Sequence, residues 1–127
     1  MLKPDQRLVI HFSEQINKLN GKMGHGVLRY SRNPIACAVD FNHGGCSTRE
    51  LLGFGPDVPV VSSVAQAVDV GGEVLVLGMA PSGGRLPPEM VAEVDHAVAS
   101  GMSVVNGLHE QLGPRYPDLK KDQWVWD

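Results

Sequence analysis

The sequence predicts an α/β protein with a three-layer Rossmann-like fold, built on a parallel sheet of about five strands in the order 3-2-1-4-5. Three observations carry this prediction. Short apolar runs alternate with helix-like segments along the chain, the signature of strand–helix–strand units. The runs IACAVDF and EVLVLGM are apolar at nearly every position, as parallel strands covered on both faces require. Glycine supplies 15 of 127 residues, against a usual share of about 7%, which suits many tight connections. Right-handed crossovers between such units lead to a doubly wound sheet.

Each element follows in turn. RLVIHF (7–12) reads as the first strand, and a long loop, SEQINKLNGKMG, leads into a short helix from His25 to about Arg32, ended by Pro34. IACAVDF (35–41) is the second strand, and NHGGCSTRELLGFG is loop with one helical turn after Ser47. VPVVS is the third strand, SVAQAVD a helix closed by Gly71 and Gly72, and EVLVLGM the fourth strand. After the loop APSGGRL, a helix runs from Pro87 or Pro88 to Ser100, with Met90, Val91, Val94, Ala97 and Val98 on one face. Gly101 ends it, and MSVVNG is the fifth strand.

The chain-wide properties exclude several classes. A net charge of −3 leaves no basic footprint for nucleic acid. Two cysteines are too few for a disulfide framework, which points to a reducing cytoplasm. No apolar run approaches the ~20 residues of a membrane span, and MLKPDQRLVIHF lacks a signal-peptide core. Membrane association is not expected.

In a sheet of this type ligands bind at the carboxyl ends of the strands, near the point where strand order reverses. That rule selects four loops. The first holds Lys22, Gly24, His25 and Gly26 in NGKMGHG, which is neither the G-x-G-x-x-G fingerprint nor a Walker A loop. A glycine-rich turn opening a helix presents free N–H groups to an anion, or the glycines only supply positive φ. Asp40 ends strand two, 19 residues beyond Gly21, where an acid commonly binds a ribose; the alternative is a turn aspartate. In the third loop, Ser82, Gly83 and Gly84 can bring N–H groups to a ligand and Arg85 can fork onto a phosphate, or sit on the surface. His109 and Glu110 follow strand five as candidate acid–base groups or as caps. His43 and Cys46 in HGGC have no second ligand pair, so no metal is expected. Cys37 reads as a core thiol, and His11 and His96 as structural or solvent-facing.

The stretches GKMGHGVLRYS, AVDF, VLGMAPSGGRLPPE and VVNGLHEQLG resemble the N-terminal domain of a bacterial and archaeal family first described as a domain of unknown function and now as D-glutamate N-acetyltransferase-like. The resemblance covers roughly residues 7 to 127 and is most specific from Gly78 to Glu110, while the family pattern has threonine and alanine where Met23 and Gly24 stand here. It implies a Rossmann-like domain, similar also to the CoA-binding domain of succinyl-CoA synthetase, followed by a C-terminal P-loop domain. No Gly-x-x-x-x-Gly-Lys-Thr/Ser occurs in this sequence. The expected organisation is therefore a cofactor-binding domain over residues 1–118 and a linker tail over 119–127 leading toward an absent domain.

The resulting expectation is the CoA- or nucleotide-binding half of an N-acetyltransferase, inactive alone, with acetyl-CoA as cofactor and a small acidic amino acid such as D-glutamate as acceptor. Lys22 to Gly26 and Ser82 to Arg85 would flank the phosphates, and His109 or Glu110 would deprotonate the acceptor amine. Two rivals stand beside it: an NAD(P)-binding domain, favoured by Asp40, and a non-catalytic regulatory or oligomerisation domain. Trp124 and Trp126 alternate onto one side of an extended tail, in a chain with three phenylalanines and two tyrosines besides. They are expected to meet a partner, either the absent domain or a second copy, the alternative being that they fold back onto their own domain.

Overall fold

The computed structural model describes all 127 residues. The chain runs β1 (Leu8–His11), α1 (Lys22–Tyr30), β2 (Ile35–Val39), α2 (Thr48–Leu52), β3 (Val60–Val61), α3 (Val64–Asp69), β4 (Val74–Leu77), α4 (Pro88–Ala99), β5 (Ser103–Val105) and β6 (Val125–Trp126). Every strand pair is parallel, in the order β3-β2-β1-β4-β5-β6. This is the predicted Rossmann-like α/β sheet with a sixth strand at one edge.

Local signals in the sequence place the helices. Ser47 and Glu50 form a reciprocal capping box that opens α2, and the Ser63 hydroxyl takes the Gln66 N–H at the start of α3. Pro88 occupies the first turn of α4, where its missing N–H costs nothing.

Alternation along the strands divides the core. Val9, Leu75, Leu77 and Val104 point to the face covered by α3 and α4, where Val64, Ala67, Met90, Val94 and Ala97 meet them. On the opposite face Ile10, Phe12, Ala38 and Val60 pack against Leu28 of α1 and the α2 region. Cys37 is fully buried as expected, and burial pushes its thiol up to about 11 against the opposing charge of Arg7.

The second face is only half covered. Crossovers through α1 and α2 lay helices over β1 to β3, but the β5–β6 connection contains only a short 3₁₀ turn at Gly113–Arg115. Val76, Val105 and Trp124 therefore rise beside a shallow apolar hollow of about 410 Å³ that Met1, Leu2 and Trp126 also border. Trp126 is 58% exposed and Tyr30 79%.

Residues 123–127, expected within a linker tail, are bonded back onto the domain. The Gln123 amide donates to Val98 O and Met102 O at the end of α4. The Trp124 N–H donates to the Ser103 hydroxyl, and Trp124 O and Trp126 O accept from Val104 and Asn106. These bonds seat Val125–Trp126 as the edge strand. No helix is long and apolar enough to cross a membrane.

Candidate functional site at the strand ends

The glycine-rich segment is a packing device. Helix α1 begins at Lys22, so Gly24, His25 and Gly26 lie within its first turns and not in a preceding loop. Its leading donors are already used: Gly21 N–H bonds Lys18 O, Lys22 N–H bonds Leu19 O, and Gly24 N–H bonds Gly78 O at 2.8 Å. An anion cradle needs free N–H groups, and that of Gly24 is already bonded. A Cβ on Gly24 would sit 2.3 Å from Phe12 Cε1, and one on Gly78 would sit 2.7 Å from the Gly24 Cα. The two glycines let α1 settle directly on the end of β4, the close helix–strand approach that a third glycine provides in dinucleotide folds. His25 is turned inward, its Nε2 on Ile16 O and its ring against Phe12 and Phe54. Lys22 stays exposed, and nothing lies over Gly26.

Asp40 takes the turn-aspartate alternative and not the ribose one. It is fully buried, with Oδ2 accepting from Ile16 N–H at 3.0 Å and Oδ1 from Asn42 N–H at 2.9 Å and His43 Nδ1 at 2.8 Å. A carboxylate so enclosed ties the β1 and β2 end loops together and offers no open face to a ribose.

The loops after β4 and β5 are joined. Glu110 Oε2 accepts the Leu86 N–H at 3.0 Å, so Glu110 straps the 80–86 loop. Ser82 to Gly84 form a single 3₁₀ turn in which Gly83 and Gly84 hold φ of 77° and 78°, a region that disfavours side chains. Gly84 N–H closes onto Pro81 O, while the Arg85 guanidinium and the His109 ring are exposed with no protein partner. Behind them Asn106, fully buried, donates to Glu110 O and to Asp127 Oδ1 and accepts from Leu108 N–H. Asp127 also takes the Leu112 and Gly113 N–H groups. Burial works to raise the Asp127 carboxyl, but these donors hold it below the usual value.

One part-buried pair had no sequence signal. His11, fully buried at the end of β1, places Nε2 3.0 Å from Glu93 Oε1 on α4, and its Nδ1 accepts the Ser13 N–H. Glu93 Oε1 also caps Val64 at the start of α3. Burial acts to raise the Glu93 carboxyl. The hydrogen bond and charge of His11, the Val64 N–H and the charge of His96 together hold it below its usual value. Such a depressed carboxylate adds stability that is complete above its unfolded pKa and lost as pH falls through the folded one. Glu93→Gln should therefore flatten the acid limb of stability below about pH 4.5, read from urea midpoints across a pH series. An unchanged limb would assign acid sensitivity to other groups.

The parallel sheet, its reversal between β1 and β4, and the polar loops gathered at the strand ends define a Rossmann-like domain. Residues 41–127 match the family model described as a Rossmann-like domain of unknown function, DUF1611_N, and the chain belongs to that family. A DUF1611 family protein from Anabaena variabilis, solved by crystallography, superposes with a TM-score of 0.89 at 41% identity over 97% of this chain and 36% of its own. A Pseudoalteromonas protein named D-glutamate N-acetyltransferase is 28% identical over 111 residues, 87% of this chain and 30% of that protein. The chain thus spans about a third of the length of each relative.

Proposed function

We propose that this chain is the cofactor-binding domain of an N-acyltransferase, taking a CoA thioester or another phosphate-bearing nucleotide, with a small acidic amino acid such as D-glutamate as acceptor. The observation that carries the reading is the 80–86 loop. Glu110 fixes it against the β5 loop, and it presents Ser82, the Gly83–Gly84 backbone and an unpartnered Arg85 at the strand ends. A glycine turn beside a free guanidinium is suited to a phosphate. The acceptor rests on the activity named for the Pseudoalteromonas relative. The NAD(P) reading loses its best argument with the enclosure of Asp40. The free thiols of Cys37 and Cys46 fit a cytoplasmic setting.

Titration calorimetry with acetyl-CoA, NAD and NADP tests this: heat is expected with acetyl-CoA. Arg85→Met should weaken that binding by about 1.5–3 kcal/mol, the worth of a charge-assisted hydrogen bond. No heat with any ligand would favour the regulatory reading, and unchanged affinity in the variant would return Arg85 to the surface.

The bare half-face around Val76, Val105, Trp124 and Trp126 is, on the same reading, where the remaining two-thirds of a full-length relative would rest. Light scattering on this chain should then show concentration-dependent association that Trp126→Ser reduces, since exposed apolar surface seeks a partner. A strict monomer across the concentration range would argue against this face as an interface.

A further inference from the structure

The 80–86 loop is tied to the rest of the fold by two hydrogen bonds: Ala80 N–H to Asn20 O, and Leu86 N–H to Glu110 Oε2. Glu110 thus decides where the Arg85 end of the loop stands. Glu110 lies in the loop after β5, and that loop is closed by residues beyond it. Asn106, fully buried just after β5, has both side-chain protons in use, one on Glu110 O at 2.7 Å and one on Asp127 Oδ1 at 2.8 Å. Its own N–H donates to Trp126 O, and its Oδ1 takes the Leu108 N–H. Asp127 follows β6 directly and reaches back over the same loop. Its Oδ1 also accepts the Leu112 N–H at 2.8 Å, and Oδ2 the Gly113 N–H at 2.9 Å. Glycine at 113 leaves room for this contact, since a Cβ there would stand 2.9 Å from Oδ2. One carboxylate thereby collects donors from residues 106, 112 and 113, and Glu110 lies in the span they close. Hydrogen bonds to an ionised acceptor are roughly twice as strong as neutral ones, so Asp127 is the strongest tie within that span.

We infer that Asp127 is a positioning residue for the candidate site: by clamping the 106–113 loop it sets Glu110, and through Glu110 the loop that carries Arg85. β6 is then more than a sheet edge. Its seat against β5 and the geometry of the 80–86 loop are one arrangement, linked through Asn106. The consequence for binding rests on the reading of Arg85 given above; the clamp itself does not.

Amide hydrogen exchange on the chain without ligand tests the clamp, read at the Leu86 N–H by NMR. Asp127→Ala, checked for folding by circular dichroism, should raise the Leu86 rate about tenfold, the factor that losing one charge-assisted hydrogen bond gives a local opening. The β4 amides should keep their rates. Gly113→Ala, which retains the carboxylate and pushes it aside, should act in the same direction. Glu110→Ala should match Asp127→Ala, and the double variant should show no further rise, because both changes break one path. An unchanged Leu86 rate would mean that the buried Leu86 and Leu112 side chains hold the two loops unaided, and overturns the clamp. Additive effects of the two alanines overturn it as well, as does a rise shared by the β4 amides. Calorimetry then separates the clamp from the ligand reading. Acetyl-CoA binding weakened about tenfold in Asp127→Ala supports both. A raised Leu86 rate with unchanged binding keeps the clamp and overturns the role of Arg85 in phosphate binding.

Discussion

Leu75→Ala is expected to lower the unfolding free energy by about 2–5 kcal/mol, the range for emptying a buried leucine site. The magnitude follows from position. Leu75 is fully buried on β4, a strand hydrogen-bonded on both sides by β1 and β5, and its side chain enters the larger core beneath α3 and α4. Neighbours held by two strands and two helices cannot collapse into the space. Urea denaturation measures the loss. A change below about 0.5 kcal/mol, the scale of a surface substitution, would mean that β4 is not the centre of the sheet.

Gly24→Ala and Gly26→Ala are expected to move stability in opposite directions, although both sit in α1, two positions apart. Alanine is favoured over glycine in a helix interior by roughly 1 kcal/mol. At Gly26 nothing lies within 4 Å of the added methyl, so that preference should appear as a gain. At Gly24 the methyl would meet the Phe12 ring at 2.3 and 2.7 Å and Gly78 O at 2.9 Å. Overpacking of this kind costs about 1–3 kcal/mol or more, because α1 has to lift from the end of β4. Paired thermal melts decide it. A stabilised Gly24→Ala would restore the view that this glycine serves a loop and not a contact.

These positions show where sequence information ends. Apolar runs and glycine punctuation locate five of the strands and three of the helices to within a few residues, because parallel strands and capped helices leave local marks. Helix α1 is the exception. Glycines at 21, 24 and 26 read as a turn, yet α1 starts at Lys22 because Gly24 is needed where two backbones touch. The edge strand β6 escaped because two residues carry no period, and its place depends on Gln123, Ser103 and Asn106, whose partners lie some twenty positions away. The site was legible as a set of loops, not as a set of roles. Spacing left Asp40 open between a ribose ligand and a turn aspartate, and the choice was decided by the Asn42 N–H beside it and the Ile16 N–H 24 positions earlier in the chain. His11 and Glu93, 82 positions apart, could not announce each other.

The strand order also sets a timetable for synthesis. β1 is made first but lies in the middle of the sheet, and Leu8 pairs with Val74 on one side as it pairs with Ile35 on the other. At translation speeds of about 5–20 residues per second, the second edge of β1 waits roughly 3–13 s for its partner to be made. During that interval LVIH, buried at every position in the finished fold, presents an unpaired apolar edge to solvent. Until β4 is made, that edge is open to pairing with other chains, so the hazard of misassembly lies in synthesis and not in the finished sheet.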